Sequence, residues 1–193
     1  GKSGTATVTL NATANYTIKL VSADQYGNSS TLTSGIYKID VTLPTCTVEG
    51  NTAPWTKSKT LTIKSAADVG SGLHATPYSF DDGATWTATP SKEFKANGTV
   101  KIVVRDKVGN INTVPVNITR IDRTPPTITF DKDNVTIKDN EVNGYNLKTG
   151  MTVTDNVDGN IDPSKVEVTG TINKNPGSYT ITYKVRDRLG NET

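Results

Sequence analysis

The chain has 193 residues, 33% of them hydrophobic and 21% charged, with a formal net charge of +2 and a mean hydropathy of −0.44. These values describe a polar globular chain with no membrane span, and a net charge this weak, with lysine and arginine scattered singly, does not point to nucleic acid. One cysteine, Cys46, excludes an internal disulfide, so any core rests on apolar packing alone.

Helix formers never cluster at a 3.6-residue period, while threonine-rich alternation recurs throughout, which predicts β structure. Gly1-Lys-Ser-Gly4 reads as a linker or a cloning remnant, and Thr5–Leu10 alternates as a strand. Next comes Tyr16-Thr-Ile-Lys-Leu-Val-Ser-Ala-Asp24-Gln-Tyr-Gly27-Asn28, a strand running into an Asp-x-x-Gly-Asn turn, with a return strand near Ile36–Val41. The pentad is a turn with a mechanism. Its aspartate accepts local amide hydrogens, and its glycine takes the positive φ that the turn requires.

Residues 44–124 predict strands at Thr45–Glu49, Thr60–Ser65, Pro77–Asp81, Thr85–Ala88, Thr99–Arg105 and Asn112–Ile121. Alternation nominates Val48, Leu61, Ile63, Tyr78, Phe80, Val100, Ile102, Val104 and Ile118 for the core. Residues 125–193 predict strands at Thr127–Phe130, Asn134–Ile137, Met151–Thr154, Val166–Thr169 and from Tyr179.

The turn pentad occurs three times, at Asp24, Asp106 and Asp187, with spacings of 106 − 24 = 82 and 187 − 106 = 81. A second marker, Ile39-Asp40 and later Ile121-Asp122-Arg-Thr-Pro-Pro126, follows the first two pentads by the same 16 residues. Proline cannot donate to a ladder, so these Ile-Asp-to-proline segments read as domain boundaries. The repeat units are thus 1–43, 44–124 and 125–193. The first is too short to bury a core of its own and reads as the back part of a repeat whose front half is absent; the last reads as lacking its final strand. Eight residues before each turn aspartate stand Tyr16, Gly98 and Tyr179, so a hydroxyl-anchored tyrosine corner is available to the outer two repeats alone.

The pattern Tyr-x-Ile-x-x-x-Val-x-Asp-x-x-Gly-Asn, with Ile-Asp-x-Thr-Pro-Pro at a boundary, resembles the tandem immunoglobulin-like repeats of bacterial surface and secreted proteins. Asp155-Asn-Val-Asp-Gly-Asn-Ile-Asp162 and Asn175-Pro-Gly-Ser-Tyr179 are similar to one subgroup, and Gly72-Leu with Tyr78-Ser-Phe-Asp-Asp-Gly-Ala-Thr-Trp86 to a sister subgroup. The resemblance implies tandem antiparallel, Greek-key β-sandwiches at a bacterial cell surface or in secreted form. It says little about activity, since such repeats serve as stalks, spacers and adhesive modules alike.

No residue is assigned to catalysis, to a cofactor or to a metal. His74, the one histidine, lies in a Gly-rich stretch with no aspartate or serine arranged as a triad partner. Cys46 reads as strand filler. Ser79-Phe-Asp81-Asp-Gly83-Ala-Thr-Trp86 resembles the Asp-box hairpin of sialidase-like propellers; one copy makes a tight turn, with a sugar-stacking role for Trp86 and Trp55 as the alternative. Asp155 to Asp162 has the hard oxygens of a calcium loop without EF-hand spacing, and turn-making accounts for the same residues. Asp40 and Asp122 are weighed as cation-braced junction residues.

The expected role is a non-catalytic spacer or stalk that presents other domains of the same long protein. The alternatives are an adhesion or carbohydrate-binding module, with a glycan or host ligand as partner, and an accessory domain of a secreted glycoside hydrolase or peptidase.

Overall fold

The computed structural model describes residues 5–132 and 134–193; the opening Gly1–Gly4 stretch lies outside them. Its strands are short and pair antiparallel, with one isolated parallel bridge between Thr56 and Ile121. The chain opens with β1 (Ala14–Tyr16), β2 (Lys19–Ala23), β3 (Ser29–Thr33) and β4 (Tyr37–Ile39). β2 and β3 form the hairpin closed by the Asp24 turn, and β1 pairs with β4. Leu20, Leu32 and Ile36 stay largely exposed here. Thr5–Leu10, expected as a strand, is not one, because alternation makes a strand only where a neighbour offers a ladder.

Two three-stranded sheets follow. β5 (Thr45–Glu49), β6 (Lys59–Ala67), β7 (Leu73–Ser79), β8 (Ser91–Phe94), β9 (Gly98–Asp106) and β10 (Ile111–Ile118) sort into β5-β6-β8 and β10-β9-β7. Alternate strands changing sheets is the connectivity of an immunoglobulin-like sandwich. Leu61 and Ile63 from the first sheet, and Ile102, Val104 and Ile118 from the second, are almost fully buried. Each such side chain contributes about 1.5–3 kcal/mol by leaving water. Phe80 stacks obliquely on Phe94, ring centroids 6.5 Å apart. Val48, Tyr78 and Val100, also expected in the core, are half-buried. The expected Thr85–Ala88 strand reduces to one bridge between Tyr78 and Thr87. β8 was hidden in the sequence, since Ser-Lys-Glu-Phe carries the charges that protect a sheet edge.

The last stretch holds β11 (Thr127–Phe130), β12 (Met151–Asp155), β13 (Gly159–Ile161), β14 (Glu167–Thr169) and β15 (Thr182–Lys184), arranged as β11-β12-β13 and β14-β15. β13 follows a three-residue loop at 156–158 and opens on Gly159, whose φ is 70°; the turn was expected from the sequence, the strand after it was not. Asn134–Ile137 forms no strand and leads instead into a 3-10 helix at Asp139–Gly144. Met151, Val153, Ile161, Val166 and Val185 form a core, with Ile128, Val168 and Tyr183 against it.

By contacts the chain divides into two compact units. One holds the chain up to Thr52 with Thr60–Phe94 and Gly98–Thr119; the other holds Ala53–Lys59, Lys95–Asn97 and Arg120–Thr193. Among the described residues no helix is long and apolar enough to cross a membrane.

Candidate functional site

The three turn pentads fold alike. Asp106 Oδ1 accepts the amides of Val108, Gly109 and Asn110 at 3.0, 2.7 and 2.8 Å, and its Oδ2 accepts the Asn110 side-chain amide at 2.7 Å. Asp24 and Asp187 hold Asn28 and Asn191 in the same two-handed way. Gly27, Gly109 and Gly190 take φ of 86°, 102° and 77°, where a β-carbon is disfavoured. The tyrosine corners also form at both expected positions. Tyr16 donates to the Ala12 carbonyl at 3.1 Å, and Tyr179 to the carbonyl of Asn175, each four residues upstream.

The isolated candidates fare differently. His74 sits on β7 rather than in a loop, and its Nδ1 accepts the Thr76 amide at 3.0 Å, which commits that nitrogen to the backbone. Cys46 is half-buried on β5, and burial pushes its thiol pKa up, away from the reactive thiolate. The Ser79–Trp86 hairpin closes on itself. Buried Ser79 donates to Asp81 Oδ1 at 2.7 Å and accepts the Gly83 amide at 2.9 Å, while Thr85 donates to Asp81 through its amide and its hydroxyl. The Thr85 hydroxyl, its amide and the Ser79 hydroxyl together lower the Asp81 pKa from the ordinary 3.8 to about 2. Trp86 is half-buried, and the Arg105 guanidinium covers its ring at 4.0 Å. Arg105 is itself anchored on the Thr76 carbonyl and hydroxyl. Trp55 is 37% exposed and shares a shallow cleft with Pro54, Arg188 and Leu189.

The carboxylates of the Asp155–Asp162 loop do not converge on one another. Asp158 takes the backbone amide and side chain of Arg188, and Asp162 caps Ser164. Asp155 instead joins Asp122 and Asp187, and a second trio, Asp40, Asp68 and Asp106, forms in the other unit. In each trio every aspartate offers an oxygen within 4.8 Å of the others.

The two trios are built from the same parts. The first part is the aspartate of the Ile-Asp marker. Asp40 and Asp122 each cap the amide two residues on, Thr42 and Thr124, at 3.0 Å. The second is the turn aspartate, Asp106 at 0% exposure and Asp187 at 8%. The third stands at the end of a strand and spends one oxygen on the turn that follows. Asp68 Oδ2 accepts Gly70 and Gly72 amides; Asp155 Oδ1 accepts those of Val157 and Asp158. Asn110 and Asn191 tie the parts together, donating to the main-chain carbonyls of Asp40 and Asp122 at 3.2 and 3.4 Å. In the first trio Asp40 Oδ2 also accepts the Ser71 amide at 2.5 Å, and the Ser71 hydrogen bonds, with Thr42 and Thr13, lower its pKa to about 2. Sequence reading had singled out Asp40, Asp122 and the turn aspartates; Asp68 carries no motif and was missed.

A family model described as bacterial surface protein, Ig-like domain, matches residues 131–193. No curated protein and no solved structure matches the chain. The all-β, antiparallel architecture agrees with that family. Residues 131–193 are therefore similar to the immunoglobulin-like domains of bacterial surface proteins.

Proposed function

We propose that the chain is a non-catalytic spacer of a bacterial surface or secreted protein, in which immunoglobulin-like units at 1–43, 44–124 and 125–193 follow one another and present other domains of the same polypeptide. The observation that carries this reading is the asparagine tie. Asn110 and Asn191 each bind the main chain of an Ile-Asp marker that precedes them by about 70 positions, so the segments read as domain boundaries are held by hydrogen bonds. An ordered connection transmits position from one unit to the next, which a flexible linker does not. Supporting it, His74 and Cys46 lie in settings unsuited to catalysis, and the Asp-box hairpin spends its polar atoms on its own turn.

One observation favours a second reading, a glycan-binding module. Trp55 presents a partly exposed ring in a cleft with Arg188, the pairing of apolar face and polar rim that sugars require. Affinity electrophoresis of the whole chain through a panel of polysaccharides tests both. The spacer reading expects no retardation in any gel. Retardation abolished by Trp55→Ala or by Trp86→Ala, in a variant that still folds, replaces it with the binding module.

A further inference from the structure

Beside β11 and β15 lies a cavity of about 250 Å³, walled by Phe130, Tyr145, Leu147 and Tyr183 and rimmed by Asp131 and Lys132. All of these residues belong to one compact unit. Phe130 and Tyr183 meet edge to face, with ring centroids 5.2 Å apart and planes inclined at 63°, and so form two adjoining walls. Tyr145 follows the 3-10 helix; burial, and after it Tyr145, push the Tyr183 pKa up, which places the two phenols near each other. Core packing accounts for the inner side of Tyr183, whose hydroxyl donates to the Leu147 carbonyl at 2.8 Å. It does not account for the open side. Phe130 is 41% exposed although apolar. The Tyr145 hydroxyl, the Asp131 carboxylate and the Lys132 ammonium have no hydrogen bond or ion pair among the described residues. Free charges are ordinary on a surface, but two of opposite sign beside an aromatic hollow have the make-up of a small-ligand site.

We propose that this cavity binds phosphocholine, with the quaternary ammonium against the rings of Phe130, Tyr145 and Tyr183 beside Asp131, and the phosphate against Lys132 and the Tyr145 hydroxyl. The face of an aromatic ring is negative and attracts a cation lying within about 6 Å of its centroid. A quaternary ammonium gains more here than a primary one, because its methyl groups bury as apolar surface and donate no hydrogen bonds that water would have to give up. Every part of the lining then has a partner. A neutral sugar would cover the rings and leave both charges without a counter-charge. A simple anion would use Lys132 and face Asp131, whereas choline alone would use Asp131 and face Lys132. Phosphocholine occurs as a lipid headgroup or on a soluble or polymeric carrier, and the cavity offers the same chemistry to either. The proposal is independent of the spacer reading, since a spacer can carry such a site or lack one, and neither Trp55 nor Trp86 takes part in it.

Isothermal titration of the 193-residue chain with phosphocholine tests it. One equivalent is expected, with a dissociation constant of about 10⁻⁴ to 10⁻³ M for a site this open to water. The N-methyl proton resonance of the ligand should move upfield on binding, because ring faces shield it. Tyr145→Ala should weaken binding about 3- to 30-fold, and Tyr145→Phe, which keeps the ring, by less. Asp131→Asn and Lys132→Met should each weaken it, and Trp55→Ala should leave it unchanged. Thermal melts check that the variants fold; if Tyr145→Ala does not, the two charge variants, both at exposed positions, decide the matter. Choline and inorganic phosphate, offered singly, should bind about tenfold more weakly than phosphocholine. Phosphatidylcholine vesicles separate the sources: co-sedimentation of the chain assigns the site to a lipid headgroup, and binding of free phosphocholine alone assigns it to another carrier. No binding at about 10 mM phosphocholine, an unmoved N-methyl resonance, choline bound as tightly as phosphocholine, or full affinity in Tyr145→Ala would each overturn the proposal.

Discussion

The side-chain amide of Asn110 donates to Asp106 Oδ2 at 2.7 Å and to the main-chain carbonyl of Asp40 at 3.2 Å, and so joins a hairpin turn to a segment seventy positions earlier. Asn191 repeats the relationship with Asp187 and Asp122. The final residue of a turn motif thus has two jobs, closing its own turn and gripping another segment.

Replacing that residue separates the two jobs. Asn110→Ala is expected to destabilise the chain by about 1–3 kcal/mol, because the carboxylate of buried Asp106 loses a charge-assisted partner. Urea unfolding gives the magnitude. Limited proteolysis supplies the second readout, with faster cleavage at residues 40–43 in the variant. Destabilisation without faster cleavage there would show that the asparagine serves its turn alone.

Gly70 lies against the carboxyl group of Asp40. A β-carbon at that position would stand 2.2 Å from Asp40 Cγ, so Gly70→Ala must displace the marker aspartate. The expected cost is about 0.5–1.5 kcal/mol, the net worth of a hydrogen bond, because the aspartate must turn away from the Thr42 or Ser71 amide. In the double variant Gly70→Ala, Asp40→Gly most of that cost should disappear; additive costs in denaturant melts would place the strain elsewhere.

Asp81 ties stability to acid. Its pKa is lowered in the folded chain, from the ordinary 3.8 to about 2. The stability it contributes is therefore present above about pH 4 and is lost as pH falls through about 2. Urea midpoints at pH 5, 3 and 2 should drop less steeply in Asp81→Asn than in wild type. Parallel slopes would mean that the Thr85 and Ser79 hydrogen bonds do not favour the carboxylate.

Arg105 covers the Trp86 ring. Arg105→Ala should uncover it and shift tryptophan emission to longer wavelength, with a loss of about 0.5–1 kcal/mol from the cation–π contact. Emission unchanged in the variant would mean that protein atoms other than the guanidinium shield the ring.

Local chemistry made much of this protein legible in its sequence. The Asp-x-x-Gly-Asn turns and the tyrosine corners depend on neighbours a few residues away, and both took the expected form. Of the strands that enter the turns, β9 runs unbroken into Asp106, while the first is split into β1 and β2 and the third shortens to β15. Alternation located Leu61, Ile63, Ile102 and Val104 in the core for the same reason: side-chain direction in a strand is a local property. Edges were harder. β8 carries charge and β13 has three residues, so both depend on the strand beside them for their existence. The aspartate trios were beyond reach of sequence order. Asp40, Asp68 and Asp106 span more than sixty positions, and Asp68 has no local mark that separates it from other turn carboxylates. The residues alone determined the turns and the central strands of this chain; tertiary structure decided which edge strands form and which carboxylates the turns bring together, because both depend on how sheets pack and not on spacing along the chain.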